Sequence, residues 1–193
     1  YLYSNANYTL LALVIESVAD GYRRYLSKSI LIDGGGGPIG GFWDGEPGAP
    51  GPRAVGHVAD GPGERGDFAG PHWALDGNGG VAMTASELAE WTRALFSGEI
   101  LSARAIEMLQ ATTSHLAGDD GVELPGWGLI DKGLVGERVL TTSGGGGATG
   151  HTVDVAWLPE SRQVVVIARN ADSWVTDSLG ADVAIPLLAG TDV

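Results

Sequence analysis

The first apolar pattern of the chain has the period of a helix. Its apolar positions lie three and four residues apart and are Leu11, Val14, Ile15 and Val18. Asp20-Gly21 supplies a residue that readily adopts the left-handed conformation at which helices commonly end. We therefore predict one helix that ends near Gly21 and a second, short helix over about 22–29.

Periodicity disappears between Asp33 and Gly80, where six of the nine prolines lie and glycine is dense. A flexible linker is one interpretation. However, aromatic residues and a histidine are interleaved with the glycines: Phe42, Trp43, Phe68, His72 and Trp73. Large rings need burial, so a packed irregular excursion is favoured over a linker.

Helical order returns at Thr84, whose hydroxyl can cap a helix while Glu87 reaches back to the cap. The inner face of this helix would carry Leu88, Trp91, Leu95 and Phe96. Ser102 is in a position to cap a further helix that continues to about Leu109.

After Gly126 the apolar period changes from 3.6 to 2, which is typical of strands. The predicted strands are Trp127–Asp131, Glu137–Thr142, Thr152–Leu158 and Gln163–Arg169. Their short connections predict an antiparallel meander, and a helix over about Trp174–Leu188 would cover one face of it. The fold class is α+β, with a helical and irregular region over 1–125 and a sheet with its C-terminal helix over 126–193.

Composition and charge narrow the classes of partner. The 193 residues include 44% hydrophobic side chains, and the net charge is −13. Such a charge argues against nucleic acid and anionic membranes, because both are bound through basic patches. No apolar run has the length of a membrane span, and cysteine is absent, which leaves the cellular compartment undecided.

The first candidate chemistry lies at the entrance of the first helix. Tyr3 and Asn5 are two residues apart there, so a phenol and a carboxamide can lie side by side in a cleft. A phenol can move a proton, and a carboxamide can hold a substrate amide. The alternative is an aromatic helix start with Ser4 or Asn5 as its cap.

Other ligand and nucleophile motifs are missing. Asp76–Gly80 with Glu87 resembles a calcium loop superficially, but Gly80 and Val81 stand where an oxygen ligand and the turn glycine are needed. The glycine runs are not followed by the Lys-Ser/Thr pair of a phosphate loop. The four histidines have no metal-binding spacing, so each histidine is better explained as a surface or packing residue. We predict no metal and no organic cofactor. Neither Ser-x-x-Lys nor Gly-x-Ser-x-Gly occurs in the chain.

Three segments in order nevertheless resemble the serine β-lactamase-like superfamily, which includes class C β-lactamases, DD-peptidases, D-aminopeptidases and related esterases. Tyr3-Ser4-Asn5 and the helix after it resemble the second motif of that group. Gly79–Leu88 is similar to its Gly-Gly-x-x-Ser-Thr-Ala-x-Asp-Leu helix entry. Gly146–His151 is similar to its Gly-Gly-Thr-Pro-Gly-Tyr strand, and Ala156–Glu160 to the turn after that strand.

The resemblance implies a β-lactamase/transpeptidase-like fold and an acyl-enzyme mechanism on an ester, amide or β-lactam carbonyl. Tyr3 would then be the proton shuttle, and Asn5 would hold the substrate amide. Gly146 and Gly147 would form the oxyanion and substrate-binding edge, with one backbone N–H from Gly147. A third motif, Lys/His-x-Gly, would fall at Gly144–Gly146, so that its first residue has no side chain.

Two departures limit these expectations. The segment with Ser-x-x-Lys should precede Tyr3, so the chain would be one incomplete domain that is inactive without an N-terminal complementing segment. Gly144 weakens the case for a penicillin-type carboxylate substrate and favours ester hydrolysis or an altered activity. A noncatalytic binding or assembly module is the alternative, and an exposed sheet edge and apolar face would favour a homo-oligomer or another complex.

Overall fold

A computed structural model describes residues 2–58, 61–62, 76–111, 114–115, 122–130, 136–146 and 150–171. The helices in these ranges are α1 (Asn5–Val18), α2 (Tyr22–Ser29), α3 (Ala85–Phe96) and α4 (Ala103–Ala111). Four short strands precede α3 in the chain: β1 (Gly41–Phe42), β2 (His57–Val58), β3 (Gly61–Pro62) and β4 (Val81–Ala82). The later strands are β5 (Ser114–His115), β6 (Val122–Leu124), β7 (Trp127–Ile130), β8 (Val139–Gly146), β9 (His151–Leu158) and β10 (Gln163–Arg169).

The main sheet has the order β10-β9-β8-β7-β6-β5, and each neighbouring pair is antiparallel. The predicted α+β class and the meander are therefore confirmed. Strand β8 continues to Gly146, four residues beyond its predicted end at Thr142. Its glycine-rich end still pairs with β9, because ladder hydrogen bonds require only backbone groups.

Helix α3 covers one face of this sheet. Thr84 and Glu87 form the predicted reciprocal cap: Glu87 N–H donates to Thr84 Oγ1, and Thr84 N–H donates to the Glu87 carboxylate. This hydrogen bond from Thr84 N–H lowers the pKa of Glu87. The core beneath α3 contains Leu95, Leu124, Trp127, Leu140, Val155 and Trp157.

A second core joins α1 and α2 to the irregular excursion. Its buried members are Ala12, Tyr22, Leu31, Ile39 and Phe42, and Phe42 is completely buried. Trp91 packs against both cores, and its Nε1–H donates to Ile30 O at 2.8 Å. Of the residues that predicted a packed excursion, Phe42 is buried and Trp43 is half-buried. Phe68, His72 and Trp73 lie outside the described residues.

The division at 125/126 stays a prediction. Two strands of the main sheet, β5 and β6, lie before that boundary. The helix predicted over Trp174–Leu188 lies outside the described residues. Among the helices that are described, none has the length and apolar character to cross a membrane.

Candidate functional site

The structure places the Tyr3 and Asn5 side chains in direct contact at the start of α1. Tyr3 Oη donates a hydrogen bond to Asn5 Oδ1 at 2.7 Å. Ser4 occupies the extended cap position, but its side chain makes no cap hydrogen bond. The Tyr3 ring is 57% exposed and packs at 5.8 Å, centroid to centroid, on Tyr8. The phenol and carboxamide therefore form a solvent-accessible pair, and their place in a substrate cleft stays a prediction.

The polarity of this hydrogen bond determines what the pair can do. The phenol donates a hydrogen bond to Asn5, so the lone pairs of Tyr3 Oη remain able to accept a hydrogen bond from a second group. The Asn5 carboxamide uses its oxygen as an acceptor and retains its N–H groups as donors. One side chain can thus move a proton while the other binds a carbonyl oxygen.

The segment Asp76–Asn78 fixes α1 against α2. Asn78 Nδ2 donates to Thr9 Oγ1 at 2.7 Å, and Gly77 N–H donates to Tyr22 Oη at 3.0 Å. A Cβ at Gly77 would lie 2.2 Å from Tyr8 O, so only glycine fits there. Burial raises the pKa of Tyr22, against the opposing effect of the bond from Gly77.

The loop that resembled a calcium site is held by protein groups. The Asp76 carboxylate pairs with Arg23 Nη2 at 2.9 Å, with both side chains about one-fifth exposed. Glu87, the other acidic position, caps α3. Within the described ranges, no group of three His, Cys, Asp or Glu side chains is arranged to hold a metal ion.

Three glycines, Gly144–Gly146, form the end of β8, and we call this segment the glycine ribbon. Gly144 pairs with Val153, and Gly146 pairs with His151 at the first position of β9. A Cβ at Gly144 would lie 3.7 Å from Val153 Cγ1, an ordinary van der Waals distance. The ribbon thus leaves room on this face of the sheet. Gly147, the predicted oxyanion donor, lies outside the described residues.

Trp43 connects the ribbon to the α1 side of the molecule. Its backbone N–H donates to Gly80 O at 2.6 Å, two residues after Asn78, which contacts α1. Its ring meets the His151 ring edge-on, with centroids 5.4 Å apart. His151 Nε2 is also 3.2 Å from Ala54 O. Tyr3, Asn5 and Gly146 therefore belong to two parts of the molecule that Trp43 joins through successive contacts.

The sequence alone indicates a surface or packing position for His151 and no role for Trp43 at the site. An aromatic residue within a glycine-rich stretch was the only signal for Trp43. For His151 the signal is its position in the sequence, directly after the predicted hairpin turn and therefore close to the ribbon. Both side chains are half-buried at this junction.

Comparison with known proteins connects this arrangement to one fold. The chain is similar to the octameric penicillin-binding protein homologue from Pyrococcus abyssi, with 20% identity, a TM-score of 0.70 and coverage of 100% of this chain and 43% of that one. It is also similar to the penicillin binding protein from Bacillus halodurans, with 22% identity, a TM-score of 0.71 and coverage of 95% and 56%.

A third similar structure is the D-amino acid amidase from Ochrobactrum anthropi SV3 complexed with L-phenylalanine, with 19% identity, a TM-score of 0.74 and coverage of 97% and 56%. At these identities the similarity establishes the fold, which is β-lactamase/transpeptidase-like. The chain spans about half the length of these structures. No curated protein sequence matches it.

The sequence profile described as Beta-lactamase matches residues 1–189 of the 193. The match includes the Tyr3–Asn5 pair, the capped start of α3 and the ribbon of β8. On this evidence the chain belongs to the Beta-lactamase family, within the serine β-lactamase-like superfamily.

Proposed function

We propose that this chain forms part of a serine hydrolase that acts through an acyl-enzyme on an ester, amide or β-lactam carbonyl. The observation that carries the proposal is the 2.7 Å hydrogen bond between Tyr3 Oη and Asn5 Oδ1 at an exposed helix start. Both groups are accessible to a small molecule, and the chain belongs to a family of serine hydrolases. The substrate is a small molecule with a reactive carbonyl.

In this proposal a serine Oγ from outside the chain bonds to the substrate carbonyl carbon. Tyr3 relays the serine proton: as Tyr3 Oη takes it up, Oη passes its own proton to the neutral amine of the lysine in Ser-x-x-Lys. The reverse relay delivers a proton to the leaving group, while Asn5 N–H binds the substrate amide oxygen. The backbone N–H of Gly147, beside Gly146 at the end of β8, stabilises the negative charge on the carbonyl oxygen. Water then attacks the acyl-enzyme, which releases the acid and restores the serine.

The surface of α1 supports a further segment that completes the site. A broad apolar helix face is normally buried, yet Ala12 is the only buried residue of α1. Its large apolar side chains are 55–80% exposed at Leu10, Leu11, Leu13, Val14 and Val18. Next to them, a groove of about 560 Å³ runs between α1 and α2. Since the chain spans about half of its structural neighbours, we assign this surface to the segment that carries Ser-x-x-Lys.

The test is covalent labelling of the longer polypeptide encoded by the gene, with a fluorophosphonate probe. Tyr3→Phe keeps the ring contact with Tyr8 and removes only the hydroxyl. It should slow labelling by about 10²–10⁴-fold, the usual contribution of a positioned proton-transfer group. Ser4→Ala is the matched control, because Ser4 makes no cap hydrogen bond. Equal labelling of Tyr3→Phe and Ser4→Ala, or an upstream sequence without Ser-x-x-Lys, would refute the proposal.

The second candidate is a noncatalytic binding or assembly module. Two observations favour it: the chain contains no Ser-x-x-Lys, and α1 presents its apolar side chains to solvent. One structural neighbour is described as octameric. This candidate predicts a homo-oligomer on size-exclusion chromatography and no product burst from p-nitrophenyl esters. Turnover that depends on the Tyr3 hydroxyl would contradict it.

A further inference from the structure

His151 carries an imidazole at the end of the β8–β9 ladder. It lies near Gly144, the first position of the third family motif, which has no side chain. Alternation along β9 places His151 on the same face as Val153, Val155 and Trp157. These three residues pack towards α3 as part of the main core. Gly144 faces the same side, because its Cβ would contact Val153. His151 therefore lies diagonally across from Gly144, on the helix-covered face of the sheet.

One ring nitrogen of His151 has a defined role. A carbonyl oxygen can only accept a hydrogen bond, so the contact with Ala54 O requires a proton on Nε2. In the neutral ring, Nδ1 then keeps its lone pair and acts as an acceptor. Trp43 supports the ring from one side and fixes its plane. The side chain is thus a held acceptor at the ribbon end of the site.

The terminal nitrogens of Arg53, the cation beside Trp43, already have partners, while its buried Nε has none among the described residues. The Arg53 guanidinium lies 5.6 Å from the centre of the Trp43 ring. Its N–H groups donate to four backbone carbonyls, those of Phe42, Trp43, Ala49 and Gly51. A substrate carboxylate would therefore find no lysine at 144, and the terminal nitrogens of the arginine beside Trp43 already donate to carbonyls. The net charge of −13 also disfavours an anionic ligand.

The geometry points to His151 as the residue that sets substrate specificity here, with Nδ1 accepting a hydrogen bond from an ammonium or hydroxyl group of the substrate. This inference rests on the proposed function and narrows its substrate class. The favoured substrates carry a hydrogen-bond donor, instead of a carboxylate, beside the reacting carbonyl.

The test compares three p-nitroanilides in the longer polypeptide: those of alanine, propionic acid and succinic acid, which are cationic, neutral and anionic. We expect the wild type to prefer the alanine compound. His151→Phe keeps an aromatic ring against Trp43 and should lower kcat/KM for the alanine compound by about 10- to 100-fold, the effect of losing a hydrogen bond to a charged group. A change within twofold is expected for the propionic compound. Gly144→Lys, whose Cβ would meet Val153 Cγ1 only at an ordinary van der Waals distance, should shift the preference towards the succinic compound.

Two results would overturn the inference. An equal loss of kcat/KM on all three compounds would show that His151 only supports the packing around Trp43. A wild-type preference for the succinic compound that His151→Phe abolishes would show that the ring binds a carboxylate as a donor. If fluorophosphonate does not label the protein, the proposed function fails separately. The inference is then decided on the 193-residue chain by NMR: alaninamide, but not propionamide, should shift the ring resonance assigned to His151, and equal responses would refute it.

Discussion

Gly150 should tolerate substitution far less than Gly144, although both flank the same hairpin. Gly150 is buried with φ +65°, a left-handed conformation that disfavours any residue with a Cβ. An added Cβ would lie 2.5 Å from His57 N and 2.6 Å from His57 O. The His57 backbone cannot easily move away, because its N–H donates to Gly150 O at 3.2 Å and to Asn170 O at 2.9 Å.

The magnitude follows from two separate costs. The left-handed conformation costs about 1–2 kcal/mol for a non-glycine residue, and the forced backbone shift adds about 1–3 kcal/mol. Lower entropy of the unfolded chain offsets about 0.4–1 kcal/mol of this. Gly150→Ala should therefore reduce the free energy of unfolding by about 2–4 kcal/mol. Gly144→Ala meets no such clash and should increase it by about 0.4–1 kcal/mol.

Urea denaturation followed by far-UV circular dichroism measures both changes in the 193-residue chain. With a slope of about 1–3 kcal/mol/M, the midpoint of Gly150→Ala should fall by about 1 M or more relative to Gly144→Ala. Failure of Gly150→Ala to fold while Gly144→Ala folds would agree with the same reasoning. Equal midpoints for the two variants would refute it, because they would show that the contact of Gly150 with His57 does not constrain the turn.

Three further outcomes are expected. Thr84→Ala removes the reciprocal cap of α3 and should lower the free energy of unfolding by about 1 kcal/mol, whereas Ser86→Ala in the same turn should change it little; urea midpoints compare them. Tyr22→Phe deprives Gly77 N–H of its acceptor and should cost about 1 kcal/mol by the same assay, with the exposed Tyr25→Phe as control. The pKa of Glu87 is lowered by the bond from Thr84 N–H. The pKa of Glu137 is lowered chiefly by a hydrogen bond from the Ser161 side chain, and further by those from the Ser161 and Glu160 N–H groups. Both carboxylates therefore stabilise the fold fully above their unfolded pKa of about 4.3, and this contribution is lost as the pH falls through their lower folded pKa values. Glu137→Gln should weaken the acid-induced fall of the melting temperature, and an unchanged pH profile would contradict this.

Local chemistry made a large part of the fold predictable. The cap at Thr84 and Glu87 depends on residues three apart, and the structure confirms it. The strand predicted over Gln163–Arg169 has the same bounds in the structure, since its apolar run is bounded by a turn. The Tyr3–Asn5 contact was also predictable, because the two residues are close in sequence. In each case the signal and the contact lie within a few residues.

Contacts between distant residues could not be predicted in this way. Trp43 and His151 are 108 positions apart, and neither the period of the sequence nor a motif joins them. The end of β8 was placed too early because glycine carries no alternating side chain, so the apolar period stops before the backbone pairing does. The pairing of Arg23 with Asp76 could not be predicted either, because tertiary packing alone brings these distant residues together.

The irregular excursion has a structural role at the site that its composition conceals. Backbone carbonyls outside helices and sheets still need donors. Arg53 donates from one side chain to three of them, Trp43 O, Ala49 O and Gly51 O, and also to Phe42 O of β1. This holds the chain around Trp43 in place without regular secondary structure. Trp43 can then bind Gly80 on one side and support His151 on the other. The glycine- and proline-rich stretch is therefore a positioning element between α1 and the ribbon. A substitution of Arg53 should disturb the contacts of Trp43 with both Gly80 and His151.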